Sequence, residues 1–82
     1  MRRWFLMKLP LVSGQKMIKI LSTKGFHVVR QRSTHVQMKD AKGTLVAVPV
    51  HSGKNVSISI TLKILRDAEI SRDEFIELER KA

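Results

Sequence analysis

A chain of 82 residues has room for one compact domain and not for two, since domains usually run to about 100–150 residues. Its 43% hydrophobic content, with four glycines and two prolines, excludes a disordered or low-complexity chain, and the lack of cysteine excludes disulfides, thiolate metal sites and thiol catalysis. A net charge of +9 points to a polyanionic partner, because neutralised phosphates release their condensed counterions.

Residues 1 to 12 have no clear period and contain Pro10, so they read as an extended lead-in. The first six residues are expected to be flexible, with Met7 as an alternative start. The apolar run after Arg2-Arg3 stops at Lys8, too soon for an export signal, and no stretch approaches the ~20 apolar residues of a membrane span. The expected setting is the cytoplasm, with no membrane partner. Ser13 is placed to cap a helix running to about Lys24, with Met17, Ile18 and Leu21 on one face and Gly25 as the stop. Phe26–Arg32 and His35–Asp40 read as a strand pair joined by Ser33-Thr34. Asp40 to Gly43 is a turn, and Thr44–Val48 a third strand ended by Pro49. A loop from Val50 to Ser57 leads to a helix with Leu62, Leu65 and Ala68 on its core face and Ile58 one turn earlier. Ser71 with Glu74 forms a capping-box pattern for a last helix to about Lys81 that presents Phe75, Ile76 and Leu78. The fold class is α+β: a three-stranded antiparallel sheet in the order αβββα(α), helices on one face and the other open to ligand. That order resembles a double-stranded-RNA-binding domain.

Charge is unevenly distributed. Met1 to Arg66 carries thirteen Lys or Arg against the single acid Asp40, whereas Asp67 to Ala82 carries six acids against Arg72, Arg80 and Lys81. The body is expected to face nucleic acid, and the acidic tail to point elsewhere or meet a partner protein.

Catalysis has to start from histidine, because the chain has no thiol, no paired carboxylate near the sheet and no Gly-rich phosphate loop. His35 follows Arg30 and Arg32 closely, so a phosphate held by the two guanidinium groups would lie near its imidazole. An imidazole exchanges protons near neutrality, which suits cleavage of RNA by its own 2′-hydroxyl. Lys39, Lys42 and Lys54 extend the cationic surface, with Gln31, Ser33 and Thr34 as hydrogen-bonding partners for phosphate or ribose. His51 is a candidate phosphate contact in its loop, and His27 a surface or helix-covered residue. The histidines at 27, 35 and 51 lack compact metal-ligand spacing, so neither a metal nor any other cofactor is expected. The same residues also suit a noncatalytic RNA-binding module.

Several short motifs follow one another in order: Lys8-Leu9-Pro10-Leu11-Val12-Ser13-Gly14, Gly25-Phe26, Val29 to His35, Val48-Pro49-Val50-His51 and Thr61 to Ala68. Together, from about Met7 to Leu78, they resemble the HicA, or YcfA-like, toxin family. The resemblance implies a double-stranded-RNA-binding-like fold and metal-independent cleavage of mRNA. It also implies a catalytic histidine matching His35 and a HicB-type antitoxin as protein partner. The chain departs from the family pattern twice. Ser33-Thr34 stand where Gly-Ser usually precedes the histidine, so a turn requiring positive φ would be strained by ~1 kcal/mol or more. Ile60 stands where glycine is common before Thr61-Leu62, which is expected to shift the helix start. A silenced, antitoxin-binding chain is the reading these departures leave open.

Overall fold

The computed structural model describes residues 9–82, so the flexible extension over 1–6 and the start at Met7 lie outside the described residues. Six elements follow in order: α1 (Gly14–Thr23), β1 (His27–Arg32), β2 (His35–Lys39), β3 (Leu45–Pro49), α2 (Ile58–Ala68) and α3 (Arg72–Lys81). The strands form an antiparallel sheet in the order β1-β2-β3, giving the expected αβββαα, α+β arrangement. Among the described residues no helix is long and apolar enough to cross a membrane.

Each helix begins on a serine whose hydroxyl accepts a backbone N–H of the first turn: Ser13 from Lys16, Ser57 from Ile60 and Ser71 from Glu74. Helix α1 ends where Gly25 turns left-handed at φ 91°, with its N–H on the Ser22 carbonyl and that of Phe26 on the Leu21 carbonyl. Helix α2 closes in the same way, but with Glu69 at φ 60° in the place usually held by glycine.

The core lies between one sheet face and the helices. Val36, Met38, Val46 and Val48 point into it from β2 and β3, and Met17, Ile20, Leu21, Ile64, Leu65 and Phe75 meet them. Helices α1 and α2 both pack on β3, and α3 packs on α1. The lead-in is not loose where it is described. Val12 is buried and its carbonyl accepts the Val56 N–H at 2.8 Å, so the segment before α1 is stitched to the segment before α2.

The structure corrects three expectations. On α2 the buried positions are Thr61, Ile64 and Leu65, while Leu62 and Ala68 are half-buried and Ile58 is 54% exposed. A stripe taken every third residue drifts around a helix of 3.6 residues per turn, whereas 61, 64 and 65 share one face. Thr61 is tolerated there because its hydroxyl donates to the Ser57 carbonyl at 2.8 Å. Helix α1 buries Ile20 where Ile18 was expected, by the same geometry. The acidic α3 points elsewhere than the open sheet face, as expected, and it does so by folding against α1. Phe75 is fully buried, Glu79 reaches Lys16 at 3.3 Å and Glu74 takes Lys24, so α3 closes onto α1 within the chain. Glu74 is therefore turned toward Lys24, and the Ser71 cap serves one side of the expected box.

Gly14 is the tightest point. A Cβ there would meet the Pro49 carbonyl oxygen and lie 2.9 Å from Val50 Cα, both backbone atoms that cannot swing away. We expect Gly14→Ala to cost about 1–3 kcal/mol. In thermal unfolding this would appear as a midpoint lower by ~4–8 °C per kcal/mol. The β2–β3 turn makes a second prediction. The Asp40 carboxylate accepts the backbone N–H groups of Lys42 at 3.0 Å and Thr44 at 2.9 Å. Slight enclosure acts to raise its pKa, but these donors and the Lys42 charge outweigh it and hold the group below its ordinary 3.8. A carboxyl depressed in the folded state contributes stability that is present above 3.8 and lost as pH falls through the folded value. Asp40→Asn should therefore show a shallower loss of melting temperature than the parent chain between about pH 5 and pH 3.

Candidate nucleic-acid interface

The exposed sheet face is organised by an irregularity in β1. Val28 pairs with Met38 but Arg30 pairs with Gln37, leaving Val29 as an extra residue, a β-bulge. Directly opposed residues project to the same side. Without the bulge, strict alternation from Val28 would turn Arg30 and Arg32 toward the helices. With it, both join His35 and Gln37 on the open face, while Gln31, opposite buried Val36, is sent to the helix side of the β1 edge.

His35 is the first residue of the central strand, opposite Arg32 on one side and Pro49 on the other. The Ser33-Thr34 loop before it is also tied across the sheet, because the Thr34 carbonyl accepts the Val50 N–H at 2.6 Å. Ser33 has φ 56°, the only positive φ in this two-residue loop, and a hairpin of that form usually has glycine at its first loop position. The chain thus adopts with serine the conformation that favours glycine, and the Arg32–His35 pairing closes normally.

Two cavities meet at His35. One, of about 320 Å³, is lined by Arg30, Arg32, Ser33, His35 and Gln37. The other, of about 400 Å³, runs between the open face of β2 and β3 and one side of α2; His35, Ala47 and Pro49 form its near wall, and Ile60, Lys63 and Asp67 its far wall. His51, Lys54 and Asn55 border it from the loop after β3. That loop is fixed by the Lys54 N–H on the His51 carbonyl at 3.1 Å and by a backbone bridge between Asn55 and Ser13.

The electrostatics of this face are cationic. Among the described residues Arg30, Arg32, Lys39 and Lys54 have no ion-pair partner. The carboxylate in the second cavity, Asp67, accepts Lys63 Nζ at 2.9 Å and lies 3.7 Å from Arg66. The Lys63 hydrogen bond and charge, with a smaller contribution from Arg66, hold its pKa below the ordinary 3.8 against slight enclosure, so it is ionised at neutrality. No group of three or more His, Asp or Glu side chains among the described residues is arranged to hold a metal ion.

The structure brings together with His35 the predicted residues Arg30, Arg32 and Ser33 on one side and His51 and Lys54 on the other. Thr34 contributes its carbonyl to the sheet and lines neither cavity. Lys39 and His27 share the open face but oppose each other at its far end, ~13 Å along the strand from His35 at ~3.3 Å per residue. Lys42 lies in the turn beyond them, 3.6 Å from Glu69. Sequence reasoning missed Gln37, Asn55, Ile60, Lys63 and Asp67. Gln37 was readable, since the two-residue period of a strand puts it beside His35. The α2 residues were not, because a 62/65/68 stripe places the cavity-lining side of that helix elsewhere than the observed 61/64/65 face does. Ile60 is the third residue of α2 and lines the second cavity.

A family model described as HicA toxin of bacterial toxin-antitoxin matches residues 14–70. The chain belongs to the HicA toxin family. The matched segment runs from the first residue of α1 through the sheet to the end of α2, so it contains both cavities, and α3 lies beyond it. No curated protein matches the chain. Membership makes the chain a toxin of a bacterial toxin–antitoxin system, with an antitoxin as partner.

Within this HicA chain, Ser33 is the strained residue closest to the candidate site. We expect Ser33→Gly to relieve the left-handed conformation and to stabilise the protein by about 1 kcal/mol, read as a melting temperature higher by several degrees. The Arg32–His35 pairing should be kept, with unchanged amide shifts in β2.

Proposed function

We propose that this HicA chain is an endoribonuclease that cleaves mRNA in the cytoplasm without a metal. In this reading His35 is the proton-transferring residue, Arg30 and Arg32 hold the phosphate, and the whole chain acts as one domain. The observation that supports it best is the position of His35 on the wall shared by two cavities, one of which contains two unpaired arginines. The 2′-hydroxyl of the substrate attacks phosphorus as the imidazole takes its proton. The O2′–P bond forms, the P–O5′ bond breaks as the departing 5′-oxygen takes a proton from water, and the products are a 2′,3′-cyclic phosphate and a 5′-hydroxyl end. The guanidinium groups meet the charge that develops on the phosphorane oxygens. Ser33 and Gln37 offer hydrogen bonds beside them, and His51 and Lys54 hold the chain on the other side of the imidazole. Lys39 and Lys42, with Gln31 and Thr34 at the strand edge and turn, extend the contact along the RNA. A HicB-type antitoxin is the partner that covers the open face.

Proton transfer of this kind is worth ~10²–10⁴ in rate. His35→Ala should lower cleavage of a single-stranded RNA by that factor while RNA affinity stays within about twofold, because the cationic side chains are untouched. Expressed in bacteria, the parent chain should arrest growth with loss of mRNA and the variant should not. Equal inertness of two folded proteins would instead favour the noncatalytic, antitoxin-binding reading.

A further inference from the structure

We propose that the 400 Å³ groove between the open sheet face and α2 is a nucleobase subsite. It would take the base of the nucleotide whose 2′-hydroxyl attacks, so that it selects the residue on the 5′ side of the cut. The proposal rests on the ribonuclease reading of His35. The two cavities differ in chemistry. The smaller one offers guanidinium, hydroxyl and amide groups and suits an anion. The groove has a mostly apolar lining, including Ala47, Pro49 and Ile60, with a few polar groups at its border, the composition of a site for a flat heterocycle. A nucleotide is a phosphate and a base joined through ribose. With phosphate in one cavity and base in the other, the ribose lies over the shared wall, where His35 is.

Two further observations favour a base as the occupant. Among the described residues the two aromatic side chains, Phe26 and Phe75, are both buried, so neither offers an open-face platform for stacking of the RRM kind. A base drawn to this face finds its apolar surface in the groove. The border of the groove also carries unspent hydrogen-bonding capacity. The Asn55 side chain makes no hydrogen bond to the described residues, and an amide both donates and accepts. The Asp67 Oδ1, which Lys63 does not take and to which Arg66 Nε comes no nearer than 3.7 Å, keeps a lone pair for a base N–H. Lys54 and Lys63 keep the surroundings attractive to RNA despite that carboxylate.

Two substitutions separate this subsite from the catalytic group. Ala47 is exposed on a strand, so Ala47→Ile fills the groove without touching the core. Asn55→Ala removes a reading group and keeps the space. With random single-stranded RNA and the full chain, the parent should show an uneven choice of nucleotide immediately 5′ of the cut. Asn55→Ala should flatten that choice, and Ala47→Ile should lower kcat/KM about tenfold or more. Cleavage with the same 5′ preference and rate in all three proteins would overturn the subsite while leaving the ribonuclease reading intact. A binding measurement decides the proposal even if RNA is not cut. In NMR titrations, nucleoside 3′-monophosphates should shift the Asn55 side-chain amide, whereas inorganic phosphate should shift only signals around Arg30 and Arg32, and Ala47→Ile should abolish the Asn55 response. Nucleotides that behave like inorganic phosphate, or a groove that responds to the antitoxin and to no nucleotide, would refute it.

Discussion

Strand β2 is paired on both sides, and most of the molecule follows from that constraint. Burial of Val36 and Met38 under the helices obliges His35, Gln37 and Lys39 to face the other way, because successive side chains of a strand alternate. A flip of β2 by one residue against β3 would expose the valine and methionine and bury a histidine and a lysine. The free energy of the core thus also holds the register of the candidate site. The bulge at Val29 is the one place where the alternation is broken, and it is broken in the outer strand β1, where an unmatched residue costs the core nothing. Its effect is to bring two arginines across to the histidine.

The same economy appears at the other side of the sheet. Gly14 lets α1 approach the end of β3 to backbone contact, and the Val12–Val56 hydrogen bond ties the lead-in to the loop that carries His51, Lys54 and Asn55. The residues flanking His35 therefore come from a loop with little freedom to move away. At Ser33 and Glu69 the chain accepts left-handed backbone without glycine, and in both places the neighbouring pairing is complete.

The element order, the caps at Ser13 and Ser71, the stop at Gly25 and the outward position of His35 could be read from the sequence because each depends on local chemistry: a hydroxyl before a periodic run, a glycine after it, a two-residue alternation. What could not be read depends on contacts distant in the chain. Nothing local distinguishes Val28-Val29 as a bulge from a regular strand, yet the bulge decides whether Arg30 or Gln31 faces His35. The choice between the 61/64/65 and 62/65/68 stripes of α2 is made by the surface it meets on β3, and with it went Lys63 and Asp67. The acidic tail showed its charge plainly, but its partner proved to be Lys16 and Lys24 of the first helix.

That last pairing shapes how the molecule meets other molecules. Among the described residues α3 neutralises Lys16 and Lys24 on the helical back, where Lys19 and Arg72 stay unpaired, whereas Arg30, Arg32, Lys39 and Lys54 are all unpaired toward the sheet side, so the described charge leans toward that side. A polyanion arriving from bulk solution experiences a torque in that field. It is turned toward the open face before any contact forms, and so fewer of its encounters are wasted on the wrong side.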